Sequence, residues 1–200
     1  MSTSGVSITR CGSTVRNWAD LISPMRITGL AVITYFGVSE MPDQRCLLCQ
    51  GVDGDPVFER LQVWEDDLWR LTVSLDAEIA GMSYLEPKRH IPHITDLDGE
   101  EGRTLGTVLG KVSKSLQEAT GAKLVFLHVF GGHINHLHFF LVPHKPGDGA
   151  SAHIVEGEYE IERRIGGASR WGSKVHPKLA RKDLESVADR LRKLLGGKQN

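Results

Sequence analysis

The sequence predicts an α+β domain with an antiparallel sheet, one long helix and a second helix at the C-terminus. Three observations carry this expectation. Strand-like runs follow one another from residue 57 to 87, a 3.6-residue apolar period then occupies residues 98–121, and two more strand-like runs precede a last helical period at about 179–195. Strands, helix, strands, helix is an order that segregates helices from an antiparallel sheet rather than alternating βαβ units.

Composition fits this class and excludes others. A length of 200 residues suits one domain, with or without an extension. Hydrophobic residues at 40 % and charged residues at 24 % are ordinary for a globular chain, so nothing in the balance suggests disorder throughout. With 24 Lys+Arg against 25 Asp+Glu, the net charge of -1 lacks the basic excess that duplex nucleic acid demands. No apolar run approaches the roughly 18–20 residues that span a bilayer. An odd count of 3 Cys argues against a disulfide scaffold. These features together lead us to expect a cytoplasmic protein without membrane or duplex partners. The 9 His are unevenly spread, 5 of them falling between His128 and His144, and function is to be sought there.

Residues 1–40 read as an N-terminal extension, accessory or partly disordered, and residues 41–200 as the domain. The extension is Ser/Thr-rich and poor in acids, and its one apolar run, 29–36, is too short and too late for a secretory signal. A transit peptide is the sharper reading of its Ser/Arg bias, and a docked or floppy tail the plainer one. Met41 opens what reads as a complete domain, so an upstream start is a further reading of the extension.

The elements follow in order. Residues 57–64 and 69–75 are strand-like around the acidic turn Glu65-Asp66-Asp67. Residues 81–87 make a third strand stopped by Pro87. Asp98 then stands as an N-cap with Glu101 three positions on. Leu105, Val108, Leu109, Val112 and Leu116 share one helical face, and Gly121 suits the stop. Strands at 123–130 and 134–142 are joined by Gly131-Gly132, which suggests a hairpin. Residues 144–177 contain 8 Gly and Pro and read mostly as loop. The last helix has Leu184, Val187, Leu191, Leu194 and Leu195 on one side, with Gly196-Gly197 behind it.

If residues 134–142 are one strand, His136 and His138 share a face about 7 Å apart, at roughly 3.3 Å rise per residue. Ile134, Phe140 and Val142 lie on that same face, while Leu137, Phe139 and Leu141 lie on the other. Two solvent-facing imidazoles are the plain reading. Imidazoles on a half-apolar face, however, need a partner, and a metal, a phosphate or a carboxylate are the usual ones. Cys46-Leu47-Leu48-Cys49 supplies two thiols at a spacing that can chelate zinc, with a thioredoxin-like redox pair as the competitor. No βαβ pattern surrounds the pair, which favours the metal. Its completing ligands are sought in His90 and in one histidine of the later strand. Cys11 reads as a bystander. No GxxxxGK[ST] loop and no GxGxxG fingerprint occurs.

An ordered set of motifs resembles the histidine-triad (HIT) family of nucleotide-binding proteins. It comprises Cys46-x-x-Cys49, Glu65-Asp66-Asp67-Leu68-Trp69, the run 81–90 ending in Pro87-Lys88-Arg89-His90, Asp96-Leu97 with Glu100-Glu101 opening the helix, and the run 131–143. The resemblance covers roughly residues 44–195. It implies a HIT-like fold, a homodimer, and a small-molecule substrate that is a nucleotide or another phosphate-containing compound. The triad pattern of alternating histidines falls on His136, His138 and Phe140, in the register that keeps the leading glycine and trailing proline. A shifted register would make Ile134 the first member and displace Pro143. The resemblance therefore implies that His138 is the nucleophile, forming a nucleotidyl-imidazole that water or another acceptor resolves. It implies a Zn2+ site on Cys46, Cys49, His90 and His136, with His93 as a spare.

Departures from the family pattern are equally specific. Phe140 stands in place of the third histidine, removing a charge-assisted donor worth roughly 1.5–3 kcal/mol. Gly132 and Phe126 replace polar positions. His133 lies where some members assist the leaving group, and we count it with His138 as a catalytic residue. Phe140, Gly132, His128 and His144 are expected to line the substrate. Lys88 and Arg89 read either as anion-steering or as a solvated corner. The resulting expectation is a nucleotide phosphoester or phosphoramidate hydrolase or nucleotidyl transferase. Its rival is a HIT-like zinc protein that has lost hydrolysis and serves as a binding protein, or as an enzyme of small-molecule (biosynthetic) metabolism with a remodelled site.

Overall fold

The computed structural model describes residues 46–129, 134–148, 161–165, 168–172 and 176–196, with side chains for all but 161–172. The elements are β1 (Arg60–Glu65), β2 (Trp69–Ser74), β3 (Ser83–Pro87), α1 (Gly99–Thr120), β4 (Leu124–Val129), β5 (Phe139–His144), β6 (Ile161–Ile165), β7 (Ala168–Gly172) and α2 (Arg181–Leu195). Five strands form an antiparallel sheet in the order β1-β2-β3-β5-β4, and β6 and β7 pair separately. The α+β class expected from the sequence is the observed one. The expected boundary between extension and domain falls among residues outside those described.

Each element has a local cause. Asp66 accepts from the Leu68 and Trp69 amides at 2.9 and 2.7 Å, closing the acidic turn between β1 and β2. Pro87 ends β3 because it has no N–H for the ladder. Gly121, at φ 72, terminates α1 with its amide bonded to the Gln117 carbonyl. Asp98 precedes α1 in extended backbone but its side chain caps nothing; its carboxylate instead takes the Arg89 guanidinium at 2.6 Å.

One face of the sheet carries the helices. Trp69, Leu71, Val73, Leu85, Phe139 and Leu141 meet Val108, Val112 and Leu116 of α1 and Val187, Ala188 and Leu191 of α2 in a single buried cluster. The opposite face is also covered. All six residues of β2 are buried, alternating Trp-Arg-Leu-Thr-Val-Ser, so Arg70, Thr72 and Ser74 are buried on the side away from the helices. The segment that follows the cysteines lies against this polar face through Asp55, which pairs with Arg60 and Arg70.

Three sequence expectations need correction. Residues 57–59 are not strand: Pro56 seeds a 3-10 turn over Asp55–Phe58, and Glu59 takes a left-handed φ of 49 before β1 begins. Residues 134–138 are not strand either, because β3 pairs with β5 only from Ser83↔Leu141 to Leu85↔Phe139. Two positions further along that register Leu137 would face Pro87, which cannot donate; Leu137 N–H bonds the Ile91 carbonyl at 2.6 Å instead. Last, the stretch read as loop contains β6 and β7, separated by Gly166-Gly167 in the sequence, a composition typical of two-residue hairpins. The expected 131–132 glycine junction lies outside the described residues, although β4 and β5 do pair antiparallel.

Candidate metal centre and histidine site

Four side chains from three separated stretches converge. Cys46 and Cys49 come from the first described turn, where the Cys49 amide bonds the Cys46 carbonyl at 3.1 Å and folds the two thiols to one side. His90 follows the end of β3, and His136 lies on the approach to β5. The ligating atoms of Cys46, Cys49, His90 and His136 all lie within 4.8 Å of one another. Cys49 Sγ is 3.2 Å from His90 Nδ1 and 3.4 Å from His136 Nδ1, and Cys46 Sγ is 3.4 Å from His136 Nδ1.

These spacings fit a bound ion. A tetrahedral metal with bonds of about 2.3 Å to sulfur and about 2.0 Å to nitrogen holds those atoms roughly 3.5 Å apart. The ring orientation fits as well. His136 is fully buried and its Nε2–H donates to the Pro87 carbonyl at 2.9 Å, so Nδ1 presents its lone pair toward the thiols. Burial lowers the pKa of His136, outweighing the bond to Pro87, and keeps the ring in the neutral form that a ligand must have. The cluster can hold a metal ion. His93 takes no part: it is exposed and its amide is tied to Asp96 Oδ2 at 3.1 Å.

His138 stands two residues on. Its Nδ1–H donates to the His136 carbonyl at 2.8 Å, which leaves Nε2 with the lone pair. The side chain is half-buried, with its ring 6.3 Å from that of Tyr84. Phe140 stacks on Tyr84 at 5.2 Å and lies 6.1 Å from His128. Phe140 is 9 % exposed and belongs to a second apolar cluster with Val142, Met82 and Leu184, so the residue in the third triad position is packed rather than presented. Burial also lowers the pKa of His128. His144 ends β5 with its ring 5.1 Å from Phe126.

Of the expected site residues, the structure therefore brings together Cys46, Cys49, His90 and His136, places His138 and Phe140 beside Tyr84, and sets His128 on the other side of Phe140. His144 lies at the far end of β5. His133 and Gly132 are outside the described residues. Lys88 and Arg89 are engaged: Lys88 pairs with Glu65 at 3.3 Å, and Arg89 with Asp98 and Glu101 at 2.6 and 3.1 Å. Tyr84 and the buried charges Asp55, Arg60, Arg70 and Glu86 were not anticipated. The alternation in β2 was legible, but a charged alternate face ordinarily means solvent, and nothing in the sequence indicates that residues 46–58 cover it.

This arrangement defines a small α+β domain with a Cys2His2 cluster beside an oriented histidine. Solved structures share the fold. A Zn-bound histidine triad family protein from Mycobacterium smegmatis is 19 % identical, over 76 % of this chain and 94 % of its own, with a TM-score of 0.52. A hypothetical histidine triad nucleotide-binding protein from Sulfolobus tokodaii is 18 % identical over 76 % and 92 %, with a TM-score of 0.52. A histidine triad protein from Marinobacter aquaeolei is 19 % identical over 69 % and 90 %, with a TM-score of 0.51. No protein-family model matches the sequence, and no curated protein does. The fold of this chain is that of the histidine-triad proteins.

Proposed function

We propose that the protein is a nucleotide phosphoester or phosphoramidate hydrolase, or a nucleotidyl transferase, in which His138 is the nucleophile. The observation that carries this is the 2.8 Å bond from His138 Nδ1–H to the His136 carbonyl. It fixes the tautomer whose Nε2 lone pair can attack phosphorus. In the first step the Nε2–P bond forms and the bond from phosphorus to the leaving group breaks, the leaving group taking the electron pair and a proton. His133 is the residue assigned to assist that departure. In the second step water attacks phosphorus, the P–Nε2 bond breaks with its electron pair returning to His138 Nε2, and the water's proton passes to solvent.

We assign Zn2+ to Cys46, Cys49, His90 and His136. Four protein ligands make a closed structural site, which cross-links the three stretches and supplies no open position for substrate. His136 then holds the carbonyl that orients His138. Phe140, His128, His144 and Gly132 are assigned to the substrate, a nucleotide or related phosphate compound. β4 is a sheet edge with Leu124, Leu127 and Val129 exposed at 54, 45 and 42 %, which supports a homodimer formed along that edge. Among the described residues no helix is long and apolar enough to cross a membrane.

A second reading is favoured by one observation. Phe140 replaces a phosphate donor and is packed on Tyr84, so the fold can equally serve a zinc-stabilised binding protein or an enzyme with a remodelled site. Turnover of an adenosine phosphoramidate by the zinc-loaded chain, compared with His138→Ala, separates them. The hydrolase reading expects turnover lost in the variant; a folded, zinc-loaded wild type without turnover overturns it.

A further inference from the structure

Beside the metal donors lies a second constellation, composed of charges alone. Asp55, Arg60, Arg70 and Glu86 have side chains no more than 5 % exposed. Arg70 Nη2 meets both carboxylate oxygens of Asp55 at 2.5 Å, and its Nε lies 3.2 Å from Glu86 Oε1. Arg60 donates from Nη2 to Asp55 at 3.3 Å and from Nη1 to Glu86 at 3.2 Å. Each arginine thus bridges the same two carboxylates.

Those carboxylates belong to the two halves of the metal centre. Asp55 follows the thiols by a compact path: a Cβ at Gly54 would come within 2.1 Å of the Leu47 carbonyl oxygen, and one at Gly51 within 3.3 Å of Arg70 Nη1. The backbone between Cys49 and Asp55 is therefore folded tightly and runs directly over the guanidinium. Glu86 sits beside Pro87, whose carbonyl orients His136, and four residues before His90. The charges are two positive and two negative, so the cluster needs no further ion. Desolvating four charges gives little or no net stability over apolar side chains of the same volume. What the cluster does supply is one defined alignment of two segments.

We propose that Asp55, Arg60, Arg70 and Glu86 are positioning residues for the metal centre: they brace the segment carrying Cys46 and Cys49 against the strand end carrying His90 and the Pro87 carbonyl. The inference rests on the reading that the four donors hold a metal. The brace acts through the ligands, not on the ion, by reducing the freedom of the thiols to swing away when one bond opens. Partners hydrogen-bonded directly to metal ligands commonly alter affinity by roughly 10–100-fold, and a brace one step further out is expected at the lower end of that range.

The test loads the full chain with Co2+ and follows thiolate-to-cobalt charge-transfer absorption, then its decay into excess chelator. Asp55→Asn and Glu86→Gln are expected to accelerate metal release roughly 10-fold and to alter the ligand-field bands, while Asp55→Glu restores much of the wild-type rate. Arg103→Ala, which removes an exposed pair with Glu100, serves as the control with unchanged release. If a single variant leaves an arginine orphaned and fails to fold, the paired variant Asp55→Leu/Arg70→Met removes both charges and is still expected to release cobalt faster. Wild-type release rates and spectra in folded variants overturn the inference alone. Absence of the charge-transfer band in the wild type overturns the metal reading beneath it, and the inference with it.

Discussion

His138 Nδ1 donates to the main-chain carbonyl of His136 at 2.8 Å, while the His136 ring turns its Nδ1 toward the two thiols. One residue therefore contributes its side chain to the Cys2His2 cluster and its backbone to the orientation of the proposed nucleophile. Metal and nucleophile are expected to be linked. Stripping the metal with a chelator should lower the thermal midpoint by about 5–10 °C, from roughly 2.7 kcal/mol of linkage at one hundred times Kd and about 2–4 °C per kcal/mol. Cys46→Ser should bind less than stoichiometric zinc by elemental analysis; full occupancy in that variant would contradict the ligand assignment.

Phe140→His tests the third triad position. Phe140 is buried and stacked on Tyr84, so the substitution should lower the unfolding free energy by about 1–3 kcal/mol in denaturant titrations. A regained phosphate donor should also raise phosphoramidate turnover about 10–100-fold. Stability loss with no gain in rate would favour the remodelled site.

Gly81 occupies a place where three elements meet. Its φ is +88, and an added Cβ would come within 2.7 Å of Thr120 Cγ2 and 3.2 Å of Pro143 Cγ. Gly81→Ala should cost about 1–3 kcal/mol and lower the thermal midpoint without changing metal content. An unchanged midpoint would show that the junction of α1, β3 and β5 is looser than described.

The Arg89–Glu101 pair ties the His90 corner to α1 and should be pH-dependent. Burial alone would raise the Glu101 carboxyl, but the Arg89 hydrogen bond and a backbone bond hold it below its ordinary value of 4.5, with Asp98 opposing weakly. A carboxyl lowered in the folded state contributes stability that is present above its unfolded value and lost as pH falls through the folded one. Arg89→Met should therefore cost about 1 kcal/mol near pH 7, discounted for the partial exposure of Arg89, and the difference from wild type should shrink below about pH 4.5. A difference independent of pH in urea titrations at pH 7 and pH 3 would assign the loss to packing instead.

The parts of this molecule legible in the sequence are those where one local rule acts alone. The 3.6-residue period of Val108, Val112 and Leu116, the αL stop at Gly121 and the proline end of β3 all appear where expected. The grouping of Cys46, Cys49, His90 and His136 was legible because thiol and imidazole spacing reflects a chemical need. Residues 134–138 alternate as a strand does, but whether the ladder continues through them depends on Pro87, fifty residues from Leu137, and on a register that stops at Leu85↔Phe139. The buried brace was hidden for a related reason: Arg70 and Glu86 alternate with apolar residues as solvent-facing charges do, and only the docking of Asp55 makes that face an interior.

The central claim is that His138 forms a covalent bond to phosphorus. The most direct measurement is the mass of the His138-containing peptide after rapid quenching of the zinc-loaded protein with an adenosine phosphoramidate. The account predicts an adenylyl adduct on His138 Nε2, absent in His138→Ala along with turnover. Turnover retained by His138→Ala, with no adduct on the wild-type peptide, would contradict it.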